Sequence, residues 1–119
     1  MFWKKYKLKK RDFEKVIKCK KKINNSLFLI FFIKNDLEEN RFGISIPRKI
    51  IKKKILRNYY KRQVKNMIIN FLQKKKESIK KNKKNNYDSI IIPRSFFFKN
   101  SFLLNQLSLF KLLLFHLSH

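Results

Sequence analysis

The sequence is short of the residues that build disulfides, metal clusters and acidic active sites. Its 119 residues include one cysteine, one glycine, two prolines and seven acidic residues. A lone Cys19 excludes an internal disulfide, so we expect the protein to work in the reducing cytoplasm. We expect this thiol to have a structural role. The carboxylates Asp12, Glu14 and Asp88 are too few to predict a two-metal nuclease site.

Long apolar runs and catalytic motifs are missing as well. No run reaches the ~18 apolar residues that a membrane span requires. The basic N-terminal segment is not followed by the apolar region and cleavage site of a secretory signal. There is no phosphate-binding glycine loop, no zinc-protease motif and no Ser, His and Asp arrangement; His116 and His119 have no partners near them in the sequence. The sequence therefore predicts no catalytic residue, no metal site, no small-molecule substrate and no membrane partner.

Positive charge is what the chain has in excess. Thirty-two Lys and Arg residues stand against seven acidic ones, giving a net charge of +25, which predicts a polyanionic partner. The dominance of Lys, Asn, Ile and Phe, with no Ala or Thr, indicates A+T-biased codons, so many lysines need no specific role. The rarer arginines Arg48, Arg57, Arg62 and Arg94 are therefore the better candidates for specific contacts.

The densest cationic motif is Arg57–Lys65, which reads RNYYKRQVK. Because residues three, four and seven apart share a helix face, its cations form one row. No acidic residue lies between Lys49 and Gln73 to pair with them, so we interpret the row as a phosphate-binding surface for RNA or DNA. The residues expected to face nucleic acid are Lys53, Lys54, Arg57, Asn58, Lys61, Arg62 and Lys65.

Apolar periodicity predicts an α/β sandwich of two layers. We expect a hairpin between the first two strands, and a bulge or a close backbone approach at Gly43. The second strand, the long helix and the third strand suggest a crossover unit, right-handed by the general rule. The predicted order is helix 11–18, strand 27–33, strand 41–47, helix 50–75, strand 87–92 and helix 101–117.

Three basic or polar segments lie outside these elements. We expect an irregular arm at 1–10, a polar connection at 20–25 and a flexible Lys- and Asn-rich loop at 74–86. The length predicts that residues 1–119 form a single domain.

Two apolar segments allow more than one interpretation. Phe13, Val16 and Ile17 could pack on the sheet or line a groove for unstacked bases. The Leu-rich segment Phe102–Leu117 is similar to an interfacial membrane helix, but its single cation, Lys111, favours packing on a core.

In order and spacing, these motifs resemble the protein subunit of bacterial ribonuclease P. That family carries R-N-R-x-K-R-x-x-R on the helix that follows a G-[LI]-x-[VI]-x-K-K strand end. Here Gly43–Lys49 reads GISIPRK and precedes Arg57–Lys65. Two weaker matches are Leu8–Val16, similar to the family's opening, and Tyr87–Arg94, similar to its last strand.

The resemblance implies an α-β-β-β-α-β-α order with a left-handed crossover, against the general rule. It implies that the RNA subunit removes the 5′ leader of precursor tRNA using Mg²⁺, held mainly by the RNA subunit and the substrate. The protein subunit would bind both RNAs, with Arg48 and Lys49 also facing RNA near a 5′-leader cleft. The residues that the resemblance assigns to that cleft are Phe13, Ile17 and Ile30.

The chain departs from the family at several of these positions. Tyr59 and Lys65 stand where the family has arginine, and Ile17 and Ile30 stand where it often has aromatic residues. The first hypothesis is the accessory protein of ribonuclease P, an endoribonuclease that matures tRNA 5′ ends. The alternative is a structural rRNA-binding protein of ribosomal type, and a third hypothesis is a cationic protein of the membrane surface.

Overall fold

The computed structural model describes residues 3–81 and 86–117, and for residues 75–81 the backbone alone. Within these residues the chain forms three α-helices and four strands in the order α-β-β-β-α-β-α. No helix in this part of the chain is both long enough and apolar enough to cross a membrane. The elements are α1 Phe13–Lys18, β1 Lys22–Asn24, β2 Phe28–Asn35, β3 Arg41–Ile44, α2 Lys54–Lys81, β4 Asn86–Pro93 and α3 Phe102–Leu117.

The strands form one sheet in the spatial order β1-β2-β4-β3. The expected hairpin between the second and third of these strands is wrong, because β4 lies between them, antiparallel to β2 and parallel to β3. The two long, apolar strands take the central positions, with the long helices on one face and α1 partly covering the other, and the short β3 takes an edge. β3, α2 and β4 form the predicted crossover unit, whose left hand stays a prediction from the resemblance.

Strand β1 corrects the prediction of a polar connection at 20–25. It pairs antiparallel with β2 through Ile23 and Ile30, and Asn25 closes the turn by accepting hydrogen bonds from the backbone N–H groups of Leu27 and Phe28. An edge strand needs little apolar surface and commonly carries lysines, so its sequence is similar to that of a loop. With β1 present, the strand and helix order implied by the resemblance is confirmed.

The main core lies between one face of the sheet and the two long helices, which confirms the mixed α and β layers. Phe28, Ile30 and Phe42 from the strands are fully buried in this cluster, as are Phe71 from α2 and Leu113 from α3. The shorter helix α1 packs on the other face of the sheet, where Val16 contacts a small cluster with Leu8 and Ile90.

The described part of the N-terminal arm, from Trp3 onward, is packed, which corrects the expectation of an irregular segment at 1–10 for these residues. Trp3–Tyr6 forms a 3-10 turn, and the backbone N–H of Leu8 donates to the carbonyl of Phe42 at 2.8 Å. Tyr6 and Leu8 are buried. Because β3 is an edge strand, the arm covers backbone that would otherwise be unpaired.

The long helix starts later and ends later than its pattern predicts. Before it, the N–H groups of Ile50 and Ile51 donate to the carbonyl of Pro47, which makes a turn instead of the first helical residues. At its other end the helix continues to Lys81, through the first part of the expected loop, because lysine has good helix propensity. The rest of that loop, 82–85, lies outside the described residues.

The C-terminal helix matches its prediction. Its N-cap is Ser101, whose Oγ accepts a hydrogen bond from the N–H of Leu104 at 3.3 Å. The buried His116 has a partner that the sequence did not indicate, the hydroxyl of Ser89 at 3.0 Å from its Nε2. His119 lies outside the described residues.

Candidate nucleic-acid interface

A groove runs between the N-terminal arm, the end of β3 and the first turns of α2. Its two adjoining parts have volumes of about 300 and 670 Å³, and Lys10, Phe13, Ile44 and Lys61 line both. The groove has an apolar floor and basic walls. The cations along it are Lys4, Lys7, Lys9, Lys10, Arg57, Lys61, Arg62 and Lys65.

The floor depends on the close approach predicted at Gly43. A Cβ atom at this position would lie 2.6 Å from Cε1 of Phe13 and closer still to its Cζ. Gly43 holds a regular register opposite Ile90, so the alternative of a bulge is wrong. The absence of a side chain lets the Phe13 ring lie against the strand and form the bottom of the groove.

The walls carry positive charge, and no acidic residue that the structure describes is among those lining the groove. Burial is the main cause that lowers the pKa of Lys61, and the charges of Lys10, Arg57 and Lys54 lower it further. In the described part of the chain, none of the cations expected to face RNA forms a salt bridge. An anion in the groove would relieve this repulsion, which is the physical mark of a binding surface.

Arg57 also supports the backbone before its own helix. Its Nη1 donates to the carbonyl oxygens of Ile51 at 3.1 Å and of Lys52 at 2.5 Å. These bonds fix the turn that leads into α2 and orient the guanidinium at the groove. The residue therefore contributes to the fold as well as to the charge of the wall.

The predicted row is brought together only in part. Arg57, Lys61, Arg62 and Lys65 line the groove. Lys54 contributes through its charge on Lys61. The remaining predicted contacts are exposed on the segment before α2 or on its first turns: Arg48, Lys49, Lys53 and Asn58.

The sequence reasoning missed the cations of the N-terminal arm. Lys7 and Lys9 are exposed and alternate with the buried Tyr6 and Leu8. That period of two is the signal that could have identified an extended segment with one basic face. Arg94 has a structural contact instead, since its Nη1 donates to the carbonyl of Asn25 at 2.9 Å.

Of the three residues expected in a leader cleft, only Phe13 lines the groove. Ile30 was the wrong choice, because it is fully buried in the main core. Successive strand residues point to opposite faces, so its neighbours Phe31 and Ile33 lie on the α1 side, where they are partly exposed. Ile17 is 43% exposed on α1 and lies outside the groove.

Acidic side chains are engaged elsewhere. Asp88 accepts hydrogen bonds from Arg41 at 2.8 and 2.6 Å and from Asn35 at 2.7 Å, and Asp12 lies 3.7 Å from the same guanidinium. These charged hydrogen bonds to Asp88 raise the pKa of Arg41. Within the described ranges, no group of three acidic, His or Cys side chains could hold a metal ion.

Comparison with known proteins gives one consistent result. The sequence model of the family described as Ribonuclease P matches residues 2–114. The chain is 36% identical over 101 residues to the ribonuclease P protein component of Mesoplasma florum, an alignment that covers 85% of this chain and 84% of that protein.

Solved structures show the same similarity in three dimensions. The RNase P protein from Thermotoga maritima superposes with a TM-score of 0.69 at 29% identity, covering 89% of this chain and 93% of that one. The Staphylococcus aureus RNase P protein gives a TM-score of 0.66 at 25% identity, with 91% and 92% covered. Sequence and fold therefore agree over nearly the whole chain.

Proposed function

The chain belongs to the family of bacterial ribonuclease P protein components, and from this premise we propose that its basic groove holds RNA phosphates during cleavage of precursor tRNA. Family membership makes the chain the protein component of a ribonucleoprotein, with an RNA subunit as its partner and endoribonuclease activity in the holoenzyme. The alternative of a ribosomal-type rRNA-binding protein is not favoured by these matches. In this proposal residues 1–119 act as one RNA-binding domain in the cytoplasm.

The observation that carries the proposal is the cluster of unpaired cations around Lys61. Burial lowers the pKa of Lys61 most, and the charges of Lys10, Arg57 and Lys54 lower it further. A fold gains nothing from such repulsion by itself. Phosphates bound along the groove would stabilise all four cations at once and release counterions.

We place the single-stranded 5′ leader beside the groove, along the α1 side of the sheet. Phe13 connects the two regions, since it lines the groove and also packs against the same small buried cluster as Phe31 and Ile33. Partly exposed rings next to a basic wall accept unpaired bases with little sequence preference. The absence of sequence preference suits a leader that differs from one precursor tRNA to the next.

We propose that any catalytic Mg²⁺ is held by RNA and not by this chain. Asp88 and Asp12 both face the guanidinium of Arg41, so neither carboxylate is free to hold a metal ion. When bound, Mg²⁺ would activate the attacking water and stabilise the leaving oxygen. The chain's own contribution is to reduce phosphate repulsion and to orient the two RNAs.

Reconstitution tests this function. The chain would be combined with a bacterial ribonuclease P RNA and a precursor tRNA at low Mg²⁺, where RNA alone is slow. We expect faster removal of the leader with the protein, a smaller gain with Lys61→Gln, and an unchanged gain with Lys18→Gln, whose exposed ammonium is paired with Glu14. No gain over RNA alone with the wild-type chain would refute the proposed function.

A further inference from the structure

Helix α2 has a third face, which lies beside the groove and shares only Arg62 with it among the residues that the structure describes. At about 100° per residue, Ile55, Tyr59, Arg62 and Asn66 lie on one stripe. Ile55 is 82% exposed and Tyr59 is 47% exposed, while Arg62 borders the groove and Asn66 is exposed. A large aliphatic and an aromatic side chain therefore stand in solvent one turn apart, followed along the stripe by a cation and an amide.

The Tyr59 ring is the outer end of a series of ring contacts that reaches the core. It meets Tyr60 edge to face at 5.2 Å, and Tyr60 meets Phe98 at 4.8 Å. Phe98 contacts Phe97 at 5.0 Å, and Phe97 contacts the fully buried Phe28 at 5.4 Å. Because these contacts limit the motion of the Tyr59 ring, ordering it on binding costs little entropy.

The positive charge around the Tyr59 ring determines which class of molecule can bind there. No acidic residue occurs from Lys49 to Gln73, so an apolar partner with positive charge would be repelled, as would a second copy of this chain. RNA combines a negative backbone with flat apolar rings. Its phosphates match the guanidinium of Arg62, the amide of Asn66 can donate to the same backbone, and an unpaired base matches the exposed ring of Tyr59.

We propose that Tyr59, flanked by Ile55, is a stacking site for one unpaired base of the RNA held by α2. The proposal rests on the proposed function, and the base could belong to the RNA subunit or to precursor tRNA. Stacking at Tyr59 would be a contact to a base, whereas the groove cations would contact phosphates.

Oligonucleotide binding separates stacking from charge. A short oligo(A) RNA and an abasic strand with the same number of phosphates would be titrated into wild type, Tyr59→Ala and Tyr59→Phe. We expect Tyr59→Ala to bind oligo(A) roughly tenfold more weakly and the abasic strand unchanged, with Tyr59→Phe close to wild type. Lys61→Gln should weaken both strands, and Leu103→Ala, an exposed apolar control on α3, should weaken neither.

The difference in affinity loss between oligo(A) and the abasic strand decides whether Tyr59 stacks on a base. Equal losses for the two strands in Tyr59→Ala, or no loss for either, would overturn the stacking site. Unfolding midpoints of the variants would show that each is folded at the titration temperature. If the wild-type chain still accelerates leader removal while Tyr59→Ala loses no base-dependent affinity, the inference fails and the proposed function stands.

Crosslinking in the holoenzyme identifies the source of the base. A benzophenone amino acid in place of Tyr59 would be photoactivated in the complex with the RNA subunit and precursor tRNA. A crosslink to an unpaired nucleotide of either RNA supports the site and tells which RNA it contacts. A crosslink to neither, with leader removal retained, would contradict it.

Discussion

The two ends of strand β3 arrange charge in opposite ways. At the Arg41 end, a guanidinium, two carboxylates and an amide form a closed network around Asp88. At the Ile44 end, the groove brings Lys10, Arg57 and Lys61 together with no carboxylate in the groove lining. One strand therefore has paired opposite charges at its Arg41 end and a cluster of like charges at its Ile44 end.

The difference between the two ends of β3 separates charges that stabilise the fold from charges that are available to bind a ligand. Hydrogen bonds between opposite charges at Asp88 fix the parallel pairing of β3 with β4, where Arg41 lies opposite Asp88. Repulsion among the groove cations costs stability and is relieved only by an external anion. Removing a charge at the first end should therefore damage the fold, and removing one at the second should damage binding.

The largest effect is expected at the closed end. Asp88→Ala would leave Arg41 without its main partner in a mostly buried place, so we expect a loss of about 3–4 kcal/mol in the free energy of unfolding. Urea denaturation measures it, with the exposed Asp36→Ala as control, expected within about 0.5 kcal/mol. If Asp88→Ala lowered RNA affinity and left stability intact, the two ends would not differ as described.

The buried His116 extends the comparison to a neutral polar group. Its ring packs against both Phe32 and Tyr87, with centroids 4.6 and 4.9 Å away, and burial lowers its pKa from 6.5 to about 4. Since the unfolded chain takes up this proton first, stability should be full above pH 6.5 and fall by about 3 kcal/mol toward pH 4.

Thermal or urea unfolding between pH 7 and 4 measures the His116 effect. Its control is His116→Gln, which cannot titrate but can still reach the Ser89 hydroxyl, and which should lack this part of the pH dependence. The same acid slope in both proteins would show that His116 is not the group responsible.

A smaller loss is expected at the groove floor. Gly43→Ala places a methyl carbon too close to the outer edge of the Phe13 ring, so we expect about 2 kcal/mol of destabilisation and weaker RNA binding. Urea unfolding and RNA titration measure the two effects. The double variant Gly43→Ala with Phe13→Leu should recover part of the stability, and strictly additive losses would argue against a direct clash.

The smallest effect on stability is expected at Lys61. Its pKa is lowered, which means that the folded state disfavours its charge, so Lys61→Gln should leave the unfolding free energy unchanged or slightly higher. The RNA affinity of this variant should fall about tenfold, as for the loss of one charged hydrogen bond. Calorimetric unfolding and RNA titration measure the two quantities, and a destabilised Lys61→Gln with normal affinity would reverse the comparison.

Much of the fold could be predicted from the sequence, because the long elements have strong periodic patterns. β2, β4 and the two long helices have such patterns, and their existence was predicted correctly. Strand neighbours were not, since nothing in β3 itself shows that β4 will separate it from β2. Edge segments such as β1 and the N-terminal arm were missed because pairing, and not composition, makes them ordered.

The site was predictable where one helix carries it. Arg57, Lys61 and Lys65 follow from helical spacing alone, and the structure places all three at the groove. The second basic wall comes from an arm that is distant in sequence. Its period of two indicates a basic face, but spacing cannot show that this face lies across the groove from α2. The assignment of Ile30 to the cleft failed because the alternation of faces along β2 turns this residue into the main core.

The salt dependence of RNA binding tests the central claim most directly. Dissociation constants for a single-stranded RNA would be measured across a salt series for wild type, Lys61→Gln and Lys18→Gln. If unpaired groove cations bind phosphates, the slope of log affinity against log salt should be about 0.7 shallower for Lys61→Gln and unchanged for Lys18→Gln. Equal slopes for wild type and Lys61→Gln would contradict the account.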